Sequence, residues 1–199
     1  MPERIPLILG KGKKLAVSVG SWEDYERVGE KILEEKYKDY YYLDLRALKY
    51  GMPNLRALEE IAVYKRIIAD ISPPSPGAIM DALLAGADRI AMPTSKIITP
   101  KFLEEVTDLA EKSPWLRADV RRGEIVFRGK LMKIDPEKAL KEILSYDIGG
   151  ILIWPPWEIP NPKYLEIMGE ERTYYAIKIG GRMFLGKRGE GFCLTPQDL

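Results

Sequence analysis

Apolar runs with strand-like spacing alternate along this chain with stretches whose apolar residues return every three or four positions. The first kind predicts strands at 14–20 (KLAVSVG), 40–45 (YYYLDL), 66–71 (RIIADI), 88–94 (DRIAMPT) and 149–156 (GGILIWPP). The second kind predicts helices at 22–38, 54–64, 77–86, 99–113 and 135–146, with Val28, Ile32 and Leu33 on the apolar side of the first. Asn54 after Pro53, and Thr99 before Pro100, stand where helix N-caps belong, and Gly86 closes the third helix. The stretch 115–130, WLRADVRRGEIVFRGK, reads as a hairpin that turns at RRGE.

Strands separated by helical segments of this length are the signature of a parallel sheet with right-handed crossovers. No glycine-rich nucleotide loop follows any of these strands, which favours a closed barrel over an open doubly wound sheet. The alternation then breaks. After a short helix at 161–171, the stretch 173–192 holds two apolar runs joined by Gly180-Gly181, with no room for a crossover helix between them. Parallel neighbours need about a dozen linking residues, so these runs predict a hairpin or one long strand. The expected fold is α/β: a (β/α)8 barrel forming one domain over 1–199, shortened or irregular, with one C-terminal crossover helix missing.

Composition narrows the chemistry. The chain is long enough to bury a core, and 46% hydrophobic with 31% charged residues is a globular balance. A net charge of +1 supplies no field to recruit nucleic acid or anionic lipid, so KGKK (11–14), Arg121-Arg122 and GKRGEG (186–191) read as solvated turns. No apolar run approaches the roughly twenty residues of a membrane span, and the charged start does not resemble a signal peptide. One cysteine, Cys193, cannot form an internal disulfide, so a cytoplasmic location is expected. There is no histidine, which removes histidine triads and the usual zinc sites. Acid–base work would rest on Asp, Glu, Lys, Tyr or Cys; no metal and no cofactor is expected. Asn54, Asn161 and Gln197 are the only amides, and with abundant Lys and Glu this is a thermophile's composition.

Five segments in order, IPLILGKGKKLAVSVGSWEDY, YYLDLRAL, DALLAGADRIAMPT, RADVRRGEIVFRG and LGKRGEGF, give the chain a resemblance to a family. It resembles the phosphosugar isomerase of histidine biosynthesis, which rearranges a ribonucleotide aminoaldose to an aminoketose, together with its cyclase relative. The resemblance implies a (β/α)8 barrel with its site at the C-terminal strand ends. It also implies two catalytic aspartates that move protons at two places on the sugar, and phosphates held by backbone N–H groups of glycine loops.

Asp119 falls on the family's fifth-strand aspartate, although an aspartate before a turn is also favoured for its own backbone hydrogen bonds. The partner aspartate is absent, because Leu9 stands in its place. Asp44 and Asp70, ending the next two strands, are the candidates to replace it. The cradle after the third strand is replaced by Ser72-Pro73-Pro74-Ser75, and proline has no N–H to offer. Thr94, Gly180, Gly181, Gly186 and Lys187 are left as candidate phosphate ligands. GRMFLGKR (181–188) has P-loop spacing, but Arg188 stands where a magnesium-binding Ser or Thr is needed. In WPPWEIPNP (154–162), Trp154 and Trp157 can stack on a ligand, plug the barrel mouth or form a subunit contact.

Two functions are expected from these features. One is a divergent isomerase relative that binds a phosphorylated sugar-like small molecule at the mouth, with Asp119 as acid–base group. The other is a non-catalytic barrel scaffold that acts by binding a ligand or protein. Strand edges left open by the missing crossover would favour a homo-oligomer.

Overall fold

A computed structural model describes residues 4–73, 75–97, 99–110, 112–187 and 190–198. Pro74 in the altered cradle and Arg188 in the rejected phosphate loop lie outside them. The chain starts with an antiparallel meander, β1 (Ile5–Lys11), β2 (Lys14–Ser18) and β3 (Ser21–Asp24), before helix α1 (Tyr25–Leu33). Then follow β4 (Asp39–Asp44), α2 (Leu45–Tyr50), α3 (Leu55–Ala62), β5 (Arg66–Asp70), α4 (Pro76–Leu84), β6 (Arg89–Pro93) and α5 (Pro100–Leu109). The hairpin β7 (Trp115–Arg121) and β8 (Glu124–Ile125) leads to α6 (Pro136–Leu144), β9 (Gly150–Trp154) and α7 (Pro162–Met168). The chain ends in β10 (Thr173–Ile179), β11 (Arg182–Gly186) and the short β12 (Phe192–Cys193).

These strands close into a ring of mixed orientation that runs β1–β2–β11–β10–β9–β7–β6–β5–β4 and back to β1. Strands β4, β5, β6, β7 and β9 pair in parallel with their neighbours in that order, while β11 is antiparallel to both β10 and β1. The expected (β/α)8 barrel is therefore corrected to a closed, nine-strand mixed β-barrel with seven α-helices among the described residues. The physical reason lies at the two ends of the chain. A two-residue turn at Gly12-Lys13 sends β1 straight back as β2, and one at Gly180-Gly181 sends β10 back as β11. Both glycines of the second turn have positive φ (56° and 81°), the geometry of a tight hairpin turn that fits strand twist. A reversal that short leaves no chain for a crossover helix, so antiparallel pairing is forced at both places. The predicted hairpin over 173–192 is present, and β11 closes the ring against β1 instead of leaving an open edge.

Two apolar cores result. Alternate residues of the ring fill its interior: Leu7 and Leu9 on β1, Tyr41 and Leu43 on β4, Ile68 on β5, Trp115 on β7, Leu152 and Trp154 on β9. The other strand faces pack against the helices through residues such as Val28, Ile32, Leu58, Ile61, Leu140 and Ile143. Leu9 is fully buried in the inner core, so it packs there and holds no place for a catalytic group. No helix among the described residues is long and apolar enough to cross a membrane.

Candidate functional site

Strand β7 carries Trp115, Arg117 and Asp119 on its inner face, because successive side chains alternate. Arg117 is only 2% exposed. Such a charge inside a barrel has to be paired, and it is. Its Nη1 donates to Oδ1 and Oδ2 of Asp70, both at 2.9 Å, and its Nε donates to Oδ1 of Asp119 at 2.8 Å. Asp70, at the end of β5, also accepts from the Tyr41 hydroxyl at 3.1 Å and from the Ser72 backbone N–H at 3.2 Å. Oδ2 of Asp119 accepts from the backbone N–H of Ser95 at 3.3 Å and from the Ser95 hydroxyl. The Asp119 N–H donates to Thr94 Oγ1 at 3.1 Å. One guanidinium thus joins two carboxylates, anchored on β5 and β7 and braced by Tyr41 of β4 and the loop after β6.

The electrostatics follow from burial. Burial raises the Asp70 carboxyl above its ordinary value; Arg117 opposes that rise and the Asp119 charge adds to it. For Arg117, burial alone would lower the pKa, but Asp70 and then Asp119 outweigh it and hold the guanidinium charged. Burial, and then the Asp70 charge, pushes the Tyr41 phenol well up, so it stays a hydrogen-bond donor. Asp119 keeps the most solvent contact of the three charged groups, its side chain 15% exposed.

The other predicted residues go elsewhere. Asp44, next to inward-facing Leu43, turns toward the helices. Its Oδ1 accepts from Arg46 and Ala47 N–H groups at 2.9 and 3.0 Å, capping α2, and its Oδ2 accepts from Asn54 N–H at 2.7 Å, at the start of α3. Asp70 and Asp119 are brought together, and Asp44 is not among them. Gly180 and Gly181 form the turn at the mouth end of β10, where the Gly181 carbonyl accepts from Val19 N–H at 2.8 Å. Gly186 and Lys187 lie toward the opposite end. The Lys187 ammonium donates to the carbonyls of Glu170, Glu171 and Thr173 at 3.0, 2.7 and 3.1 Å, just before β10 begins, and lies 3.8 Å from the Tyr174 ring centre. All three of its protons are used. It lines an outer cleft of about 560 Å³ with Leu165, Glu170, Glu171, Thr173 and Tyr175, away from the aspartates. The candidate phosphate ligands therefore do not converge.

Trp154 is buried in the inner core, while Trp157, its ring centre 6.4 Å away, is 40% exposed at the rim. One tryptophan plugs and the other is left at the surface. Sequence reasoning passed over Arg117, Tyr41, Ser95 and Lys178. The signal for Arg117 was available: in WLRAD the period of two places it between Trp115 and Asp119 on one face.

Fold and site together define a closed mixed barrel whose mouth holds a buried Asp–Arg–Asp network. No family model matches the chain, and no curated protein matches it either. With the mixed barrel, this overturns the resemblance to the histidine-biosynthesis isomerase.

Proposed function

We propose that this chain is a non-catalytic barrel that acts by binding a small molecule at the mouth formed by the C-terminal ends of β5, β6, β7 and β9. The observation that carries this reading is the place of Arg117. Its guanidinium lies between Asp70 and Asp119 and donates to both, in the space that a substrate would need if the two acids were to move protons on it. A proton shuttle needs carboxylates free to gain and lose a proton within reach of the substrate. Here Asp70 is sealed and both acids are committed to an ion pair. Asp119, Ser95 and Trp157 are the groups left at the rim for a ligand to meet.

A thermal-shift screen of wild type and Asp119→Asn against sugar phosphates, nucleotides and small carboxylates, with a parallel assay for conversion of each stabilising compound, tests this. A ligand at about a hundred times its Kd adds about 2.7 kcal/mol. The expected result is a class of ligands that raises the wild-type melting temperature, is weakened by the substitution and is recovered unchanged. Turnover of any stabilising ligand overturns the reading.

A further inference from the structure

Near the mouth end of β10, the last residues of the described chain pack against that strand and reach the inner core. Strand β9 pairs with β10 only from Thr173 to Tyr175, and beyond that β12 takes over the same sheet, pairing Ile177 with Cys193. The chain then runs inward. Leu194 donates its N–H to the Ala176 carbonyl at 3.0 Å and is fully buried in the inner core with Trp154. A short turn, Pro196–Asp198, follows. Lys178 lies two residues beyond Ala176 on β10, on the same inward-facing set of positions. Among the described side chains its ammonium is held by Asp198, donating to Oδ1 at 2.8 Å and to Oδ2 at 3.1 Å. The N–H and hydroxyl of Thr195 donate to the same Oδ2 at 2.8 and 2.9 Å. The hydrogen bond from Lys178, and then the Thr195 N–H, hold this carboxyl below its ordinary value. A carboxylate with both oxygens taken by a lysine, at the open end of a barrel, is how a carboxylate ligand would be held there.

We propose that Leu194–Asp198 is a strap carrying a built-in ligand mimic, and that Lys178 is the receptor for the carboxylate of a small-molecule ligand that displaces Asp198. This names the ligand class for the binding reading above and rests on it. Leu194 anchors the strap by apolar burial and Asp198 latches it by charge. When the latch opens, Lys178 turns free at the mouth and a free carboxylate takes the place of Asp198. A ligand has to compete with a tethered group, so its apparent affinity in the intact chain falls by the fraction of time the strap is open.

The test uses the full chain, with malonate as the carboxylate probe, inorganic phosphate as the second oxyanion and sodium chloride at matched ionic strength as the control. Asp198→Ala removes the latch. Its melting temperature is expected to rise with malonate at a half-saturating concentration about tenfold or more below that of wild type, for a strap closed at least about nine-tenths of the time. Lys178→Met in the Asp198→Ala background is expected to abolish the response. Leu194→Ala keeps both charged groups and only loosens the anchor, so it reads the same shift at an intermediate concentration should Asp198→Ala fold poorly. An unchanged malonate response in both single variants overturns the strap, as does a response that survives loss of Lys178. Stronger stabilisation by phosphate than by malonate overturns the carboxylate assignment. None of these outcomes depends on turnover, which alone would overturn the binding-only reading.

Discussion

Cations at the two ends of the barrel, Arg117 and Lys178 at one and Lys187 at the other, are held in different ways. At the mouth, Arg117 and Lys178 are held by side-chain carboxylates: Arg117 by Asp70, 47 residues away, and by Asp119 on its own strand, and Lys178 by Asp198, 20 residues away. At the other end, Lys187 is held by three backbone carbonyls of one short segment and an aromatic face. A lysine bound to carbonyls of its own framework is a clamp, since no ligand can displace partners that the fold keeps in place. A cation bound to a carboxylate on a movable segment can exchange that partner for another. Position in the network, and not residue type, separates a structural lysine from one able to meet a ligand.

Substitutions that unpair the mouth break this comparison most strongly. Arg117→Met leaves the buried Asp70 and the partly exposed Asp119 without their counter-ion and should cost about 3–5 kcal/mol, read from urea unfolding midpoints at neutral pH. Combining it with Asp70→Asn should recover part of that loss, because one of the stranded charges is gone; a double variant no more stable than the single one would show that packing and not charge dominates there.

Lys187→Met comes next, with an expected loss of about 1–3 kcal/mol as three carbonyls lose a charged donor. Ligand-induced stabilisation at the mouth should be unchanged in that variant, and a lost ligand response would erase the distinction between the two ends. Asp44→Ala should cost about 1–2 kcal/mol through the lost cap of α2 and its tie to α3, again with mouth binding intact.

The smallest effect concerns pH. The folded-state value of Asp198 lies below its unfolded one, so its pairing with Lys178 stabilises above about pH 4 and is lost as pH falls through the folded value. Wild type and Asp198→Asn should therefore differ by about 0.5–1 kcal/mol at pH 7 and converge near pH 2. A difference that persists in acid would assign the stability of the strap to Leu194 instead.

Much of the scaffold could be read from the order of apolar residues. The strands at 40–45, 66–71, 88–94 and 149–156 lie within a residue or two of β4, β5, β6 and β9, since a buried parallel strand is a short apolar run whatever surrounds it. The N-terminus differs from its sequence pattern: instead of a strand at 14–20 leading directly into a helix from residue 22, β2 and β3 form an antiparallel pair and α1 begins at Tyr25. Trp22–Asp24 fits helical spacing equally well, and only pairing with β2 decides between the two. Resemblance in short segments proved misleading for the same reason, because similar strands and turns can be joined into rings of different orientation.

By itself the sequence determined most of the local elements, the tight reversal at Gly180-Gly181, the absence of histidine chemistry and the shared face of Trp115, Arg117 and Asp119, while the closed barrel decided that this face points inward. It could not determine which carboxylates meet. Asp44 and Asp70 both end strands after an apolar run, yet a shift of one position in side-chain parity turns the first outward to cap a helix and the second inward to Arg117. The partner of Lys178 is 20 residues away along the chain and the buried partner of Arg117 is 47 residues away, so both pairs meet only once the strands assemble. Local propensity acts over a few residues, whereas charge pairing in a low-dielectric interior acts on whatever the closed barrel brings within about 3 Å.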